Sequence, residues 1–455
     1  MKNPADFLTH TLRSHPRGEM VTRVMAAAIQ AVDPAHAVRK YLAWNGRTLR
    51  VGDMRYTIPH GGRVYLVGAG KAGYPMVQAA AEILGDRLDA GVVVVKENHT
   101  EETQVGAVEI VEAGHPLPDA HGIAGTEKIV SLLSRTQPDD LVLCMISGGG
   151  SALLTQPVSG VTLDDLRTLT DQLLASGATI HEFNILRKHL SRVKGGQLAE
   201  RAAPARLAAL ILSDVVGNDL DIIASGPTVP DRSTFADAWN ILHAYDLIER
   251  APFAIREHLE AGKAGRAPET PKPGELIFAR VKNLLVGSNE LAAQAALKQI
   301  RKEKLRAHLL TTSMQGEADD RGRWLTKVAR QIVETGRPVR PPVCLVAGGE
   351  TTVTLRGAGR GGRNQQVALA TVRNLADMAN VLLVTLATDG GDGPTDAAGA
   401  VVSGETLARA TARGLDPDSF LAHNDAYSFF DTLGDLLKPG PTQTNVNDLT
   451  FLFVF

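Results

Sequence analysis

An apolar run, VYLV, ends in Gly68-Ala69-Gly70-Lys71-Ala72-Gly73 and is followed by the helix-forming stretch YPMVQAAAEIL. Glycines at this spacing, after a strand and before a helix, free backbone N–H groups to point outward, and the helix dipole favours an anion there. Glu97 closes the next apolar run, GVVVVKE, near where a ribose-binding acid of a dinucleotide site would stand. Taken alone, this loop supports a nicotinamide-dependent oxidoreductase with His115 as a general acid. A tight turn carrying a solvated lysine is the plainer alternative. Lys71 is the unusual member. A mobile cation beside a bound anion suits phosphoryl transfer better than passive holding of a pyrophosphate.

A second turn, Ser147-Gly148-Gly149-Gly150-Ser151, follows the apolar run LVLCMI. Three consecutive glycines carry a cost in ordering entropy, so the turn predicts amides curled around a phosphate. Next, HEFNILRKHLSRVKGGQLAE (181–200) predicts one helix with Asn184, Arg187, Lys188, Ser191 and Lys194 on a polar, basic face. That face is either an exposed stripe or a wall of the site. Carboxylates gather where strands end: Asp214 with Asp219 and Asp221, then Glu350, then Asp389, Asp392 and Asp396. Catalytic magnesium takes only one or two carboxylates with water and phosphate oxygens, so these acids suffice in number. Arg356, Arg360 and Arg363 sit among glycines in GGETTVTLRGAGRGGRNQQ, where an arginine could neutralise a transferred phosphoryl group. The chain contains no Walker A motif, no protein-kinase motif set, no H-E-x-x-H and no G-x-S-x-G.

The elements that must position these loops repeat one unit: a short β-branched run, a glycine-rich turn, then a helical stretch. It recurs at 64–73, 141–154, 207–219, 283–300, 342–351 and 381–393. Such alternation predicts an α/β fold of two Rossmann-like domains with mainly parallel sheets and ligand loops at the strands' carboxyl ends. The Pro-, Gly- and charge-rich stretch 258–275 reads as a linker, dividing the chain into 1–257 and 276–455. Two helices over roughly 4–14 and 18–31 lead the chain, and DLTFLFVF closes it as a strand.

With 455 residues, 44% of them hydrophobic and only 4% aromatic, the cores must be aliphatic. A net charge of −2 gives no reason to expect nucleic acid or an anionic membrane as partner. Cys144 and Cys344 lie inside apolar runs and read as buried thiols. No signal-like or membrane-length apolar run occurs, so a cytoplasmic location is expected.

Eight stretches in order resemble the class II glycerate kinases, which pair a glycerate kinase domain with a MOFRL domain. They are VGAGKAG, GHPLPD, ISGGGSALL, NILRKHLSRVKGGQLA, LSDVVGNDLDIIASGPTVPD, GGETTVTLRGAGRGGRNQQ, ATDGGDGPTDAAGA and GPTQTNVNDL. The resemblance implies transfer of the ATP γ-phosphoryl group to the 2-hydroxyl of D-glycerate, with Mg2+, in an interdomain cleft. It implies Lys71, Arg363 and Asp214 as catalytic residues and Glu350 and Asp389 as metal ligands. Gly68, Gly70, Gly148, Gly149, Gly150, Ser151 and Asn218 would hold nucleotide phosphates, and Ser147, Arg187 and Lys188 the substrate. ATP and D-glycerate are the implied partners of a monomer or homodimer. The opposing expectation is an NAD(P)-dependent hydroxypyruvate reductase built on the 68–73 loop. A non-catalytic nucleotide sensor would keep the loops without needing the acids.

Overall fold

A computed structural model describes residues 2–100 and 102–455. The chain divides into two units, Pro34–Val286, and Met1–Asp33 together with Gly287–Phe455. The division does not fall at 258–275. The helix Phe253–Lys263 runs into that stretch. Beyond it, Asp231 N–H donates to Pro271 O, Thr270 Oγ1 donates to the Asp231 carboxylate, and Glu269 accepts the Phe235 N–H. Composition predicts solvation there; fixed polar partners hold the segment to the first unit.

The 34–286 unit opens with the helix Pro34–Tyr41, followed by a three-stranded antiparallel sheet, β1 (Leu42–Asn45), β2 (Thr48–Val51) and β3 (Met54–Thr57). Its main sheet is built from β4 (Val64–Ala69), β5 (Ala90–Lys96), β6 (Gln104–Val105), β7 (Val108–Ala113), β8 (Leu141–Ile146), β9 (Arg206–Leu212) and β10 (Val281–Gly287). The order is β10-β9-β8-β4-β5-β7-β6. Strands β9, β8, β4, β5 and β7 pair in parallel. Every residue of β4 and β8 is buried, because helices cover both faces of the sheet. From β4 the chain winds one way through β5 and β7, and the other way through β8 and β9. The order therefore reverses between β4 and β8, the place where open α/β sheets bind ligands at the carboxyl ends of their strands. The run NLLVG, which the sequence assigns to the second half, lies beside β9 as β10.

The second unit's sheet contains β11 (Arg306–Met314), β12 (Val343–Gly349), β13 (Val381–Ala387), β14 (Gly399–Ser403), β15 (Leu436–Leu437) and β16 (Asp448–Val454), in the order β11-β12-β16-β13-β14-β15. Strands β11 and β12 are parallel, whereas β16 enters antiparallel between β12 and β13. This sheet is mixed: the chain's last strand lies antiparallel in its centre, and β14 runs antiparallel to β13 and β15. The leading helix Gly18–Ala31 belongs here. It buries Val21, Val24, Met25, Ala28 and Ile29 at helical spacing and packs on the helix Asn289–Lys302. Arg23 fixes the pair by donating from Nε and Nη2 to Glu303 at 2.8 and 2.9 Å. Among the described residues no helix is long and apolar enough to cross a membrane. Cys144 and Cys344 are buried and unoxidised, and burial pushes the Cys144 thiol up to about 12.

Candidate active site

At the reversal point the two glycine turns are built into each other. Lys71 N–H donates to Gly148 O at 2.9 Å, Ala72 N–H to Ser147 Oγ at 3.0 Å, and Ser147 N–H to Ala69 O at 3.1 Å. Gly70, at φ +145°, can carry no side chain: a Cβ there would lie 2.1 Å from Ser147 Oγ. Three chemically active side chains meet the triglycine turn. A Cβ on Gly148 would stand 2.2 Å from Asp214 Oδ2. One on Gly149, at φ +81°, would stand 2.8 Å from His115 Cδ2 and 3.2 Å from Lys71 Cγ. Residues of three loops therefore converge on one backbone cradle. His115 is driven down to about 4, chiefly by burial and then by the positive charge of Lys71, so its ring is neutral at physiological pH.

Ser151 is the second residue of the short helix Gly150–Leu153, with its Oγ 2.7 Å from Ser225 Oγ, which donates in turn to Asn184 Oδ1. Ala224, Ser225 and Gly226 all have positive φ, a strained run that holds Ser225 against this helix. Asn218, also at positive φ, turns the chain just after Asp214. Ser147 is buried, its oxygen engaged by the neighbouring loop.

The 181–200 stretch is not one helix. It is helical over Ile180–His189 and again over Gln197–Ala202, with Gly195 and Gly196 left-handed between. Its basic residues are not an exposed stripe. Lys188 is 2% exposed and pairs with Asp221 and Asp231. Lys194 is buried and donates to Leu154 O, and burial, aided by Arg187, lowers it to about 7. Arg187 lines a cavity together with Ser151 and Lys194. The sequence pattern thus finds the polar residues and expects Lys188 at the substrate, but the structure holds Lys188 in an ion pair inside the fold rather than in the cavity wall.

In the second unit, strand register builds an acidic edge. Asp448 pairs with Gly349 of β12 on one side and with Ala387 of β13 on the other. Glu350 and Asp389 follow those two strands and so flank Asp448. Arg363, opening the helix Arg363–Leu369, donates from Nε to Asp448 Oδ2 at 2.5 Å and from Nη1 to Glu350 Oε1 at 2.5 Å. Burial pushes Asp448 up to about 7 against the pull of Arg363. Burial also opposes the charge on Arg363, but Asp448 and Glu350 outweigh it and hold the guanidinium above its ordinary range. Asp392 accepts from Asn364 and Gln365 N–H at 3.1 and 2.9 Å, and burial raises it to about 6. Arg360 lies over the Tyr427 ring at 4.0 Å and Arg356 pairs loosely with Asp319 at 3.8 Å, so only Arg363 of the three reaches the acidic edge. Asp448 escapes sequence reading. Its signals are its place in the stretch GPTQTNVNDL and a lone charge opening the apolar run LTFLFV.

Among the described residues no three His, Cys, Asp or Glu side chains group to cage a metal. Nucleotide-bound magnesium does not require such a cage. Glu350 and Asp389 supply hard oxygen donors at the ends of strands two spacings apart, about 10 Å. Carboxylates are donors of the kind taken by an ion that keeps its waters and binds phosphate oxygens.

The fold and these loops define an α/β enzyme with two interlocked glycine turns at the reversal point of a doubly wound sheet. Residues 20–260 match a family described as a domain of unknown function, DUF4147, and residues 343–448 match the MOFRL family. The glycerate 2-kinase of Pyrococcus horikoshii is 41% identical over 437 residues, covering 96% of this chain and 97% of its own. The D-glycerate 2-kinase of Thermotoga maritima is 44% identical over 388 residues, covering 85% and 89%. A crystal structure of glycerate kinase from Thermotoga maritima matches with a TM-score of 0.86 and 39% identity, covering 96% of this chain and 99% of that one. The chain belongs to the glycerate 2-kinase family, in which a DUF4147 domain precedes a MOFRL domain.

Proposed function

We propose that the chain transfers the γ-phosphoryl group of ATP to the 2-hydroxyl of D-glycerate, releasing 2-phospho-D-glycerate and ADP. One observation carries the reading: Lys71, His115 and Asp214 converge on the interlocked glycine turns where the sheet order reverses. A backbone cradle of this kind binds phosphate oxygens. Asp214 accepts the 2-hydroxyl proton as that oxygen attacks phosphorus and the bond to the β-phosphate oxygen breaks. Lys71 and Arg363 neutralise charge on the transferred oxygens, where an arginine of this kind contributes on the order of 10³ in rate. His115 stays neutral and adds no competing charge. Glu350 and Asp389 would hold magnesium, which would supply charge neutralisation for the nucleotide phosphates. The reading puts the enzyme in the cytoplasm, where its ATP is.

The test incubates the protein with D-glycerate and Mg-ATP, and separately with NADH and hydroxypyruvate. Glycerate-dependent ADP release, with the phosphorus NMR signal of 2-phosphoglycerate, is the expected result. A 3-phosphoglycerate signal would move the attack to the other hydroxyl. NADH oxidation without ADP release would replace the kinase with a reductase.

A further inference from the structure

The cavity next to the triglycine turn is unlike a glycerate site. Ser151 and Ala152, directly after the turn, form part of its wall, and so do Pro116 and Leu117, which follow His115. About 70 Å³ of it is open to the centre of a water-sized sphere, and about 670 Å³ is free space once the open mouth is counted. Leu169, Leu173, Phe183 and Leu186 make much of the lining. Every carbon of glycerate bears oxygen, so that substrate has no surface to bury against leucines. A purine has two apolar faces and a polar edge.

One wall residue supplies what a polar edge needs. Gln156 is 8% exposed, lines the cavity, and its Oε1 has no hydrogen-bond partner. An unmatched buried amide oxygen is costly, and native proteins rarely leave one without a role. A carboxamide matches adenine in two bonds, accepting from the 6-amino group and donating to a ring nitrogen. Lys194 also lines this wall, its Nζ donating to Leu154 O.

We infer that this cavity seats the adenine ring of the nucleotide, with Gln156 reading its amino edge and the triglycine turn taking the phosphates. The inference rests on the reading of the chain as an ATP-dependent kinase.

The test compares wild type with Gln156→Leu, which conserves volume, and Leu173→Trp, which fills the cavity. Calorimetry follows ADP and, as a base-free probe, inorganic pyrophosphate; kinetics follow KM for ATP and for glycerate. Both variants should weaken ADP and raise KM for ATP by about tenfold or more, with pyrophosphate affinity and KM for glycerate unchanged. A rise in KM for glycerate alone would make the cavity the acceptor site and overturn the inference. So would unchanged ADP affinity in Gln156→Leu, a variant that stays decisive even where Leu173→Trp misfolds. A wild type that binds ADP with this variant pattern but releases none with glycerate would refute the kinase reading and leave the adenine site standing.

Discussion

Lys71 is held at the cradle by its own backbone, its N–H donating to Gly148 O and its side chain passing over Gly149. A cation placed this way acts on charge that appears during transfer, so its loss falls on turnover rather than binding. Lys71→Ala is expected to lower kcat at least a hundredfold, about 2.7 kcal/mol, with both KM values within about threefold. Steady-state kinetics check this, and unchanged turnover would remove Lys71 from the chemistry. His115, next to it, makes a prediction about acid. Its folded pKa of about 4 lies below the ordinary 6.5, so between those values the unfolded chain binds the additional proton. Stability therefore rises with pH from about 4 to about 6.5, and is lost as pH falls through that window. The ring is only half-buried, and solvent screening leaves about 1–2 kcal/mol of the full effect. His115→Gln should lose that much less stability than the parent between pH 6.5 and 4 in urea unfolding. Identical pH dependence in the two proteins would contradict this.

The helix Arg363–Leu369 begins without a capping side chain of its own, Gly362 being its N-cap. Asp392, 28 residues along the chain from Asn364, supplies the missing acceptor. Removing it leaves two backbone N–H groups unmatched in a buried place and loosens the first turn of the helix, which carries Arg363. Asp392→Ala should therefore cost about 1–3 kcal/mol in a denaturant titration and reduce kcat as well. Stability lost with kcat intact would separate the cap from the positioning of Arg363. The same region shows what a linear reading can recover. Each strand, turn and helix around Lys71 and around Ser147–Ser151 follows from local pattern, as does the final strand. The partner of Arg363 does not, because Asp448 is 85 residues away and only sheet register brings it across. Helical periodicity likewise runs on through 181–200, while the left-handed Gly195 and Gly196 and the buried pairing of Lys188 with Asp231 interrupt it. Those partners lie on other elements and leave no periodic trace.

At the scale of the molecule, composition locates a plausible linker where none exists, because the second unit is discontinuous. Its leading segment, which ends at Asp33, packs with chain that resumes only at Gly287, a relation with no local signal. The helix Gly18–Ala31 contributes Val21, Val24, Met25 and Ile29, each at most 2% exposed. At roughly 1.5–3 kcal/mol for each such side chain, their burial amounts to about 6–12 kcal/mol as an upper estimate. That is comparable to the whole stability of a typical domain, about 5–15 kcal/mol. A fragment of residues 287–455 alone should accordingly show no cooperative urea transition, and adding a peptide of residues 1–33 should restore one. Thr444 Oγ1, which donates to Val32 O at 2.7 Å, gives that peptide a polar anchor besides the apolar face. Residues 34–286, by contrast, contain both faces of their sheet, the glycine turns and the cavity without a break. That fragment should unfold cooperatively by itself and bind ADP in calorimetry. Cooperative unfolding of 287–455 without the peptide would mean the leading helix is dispensable, and that the burial estimate overstates what its four apolar side chains contribute.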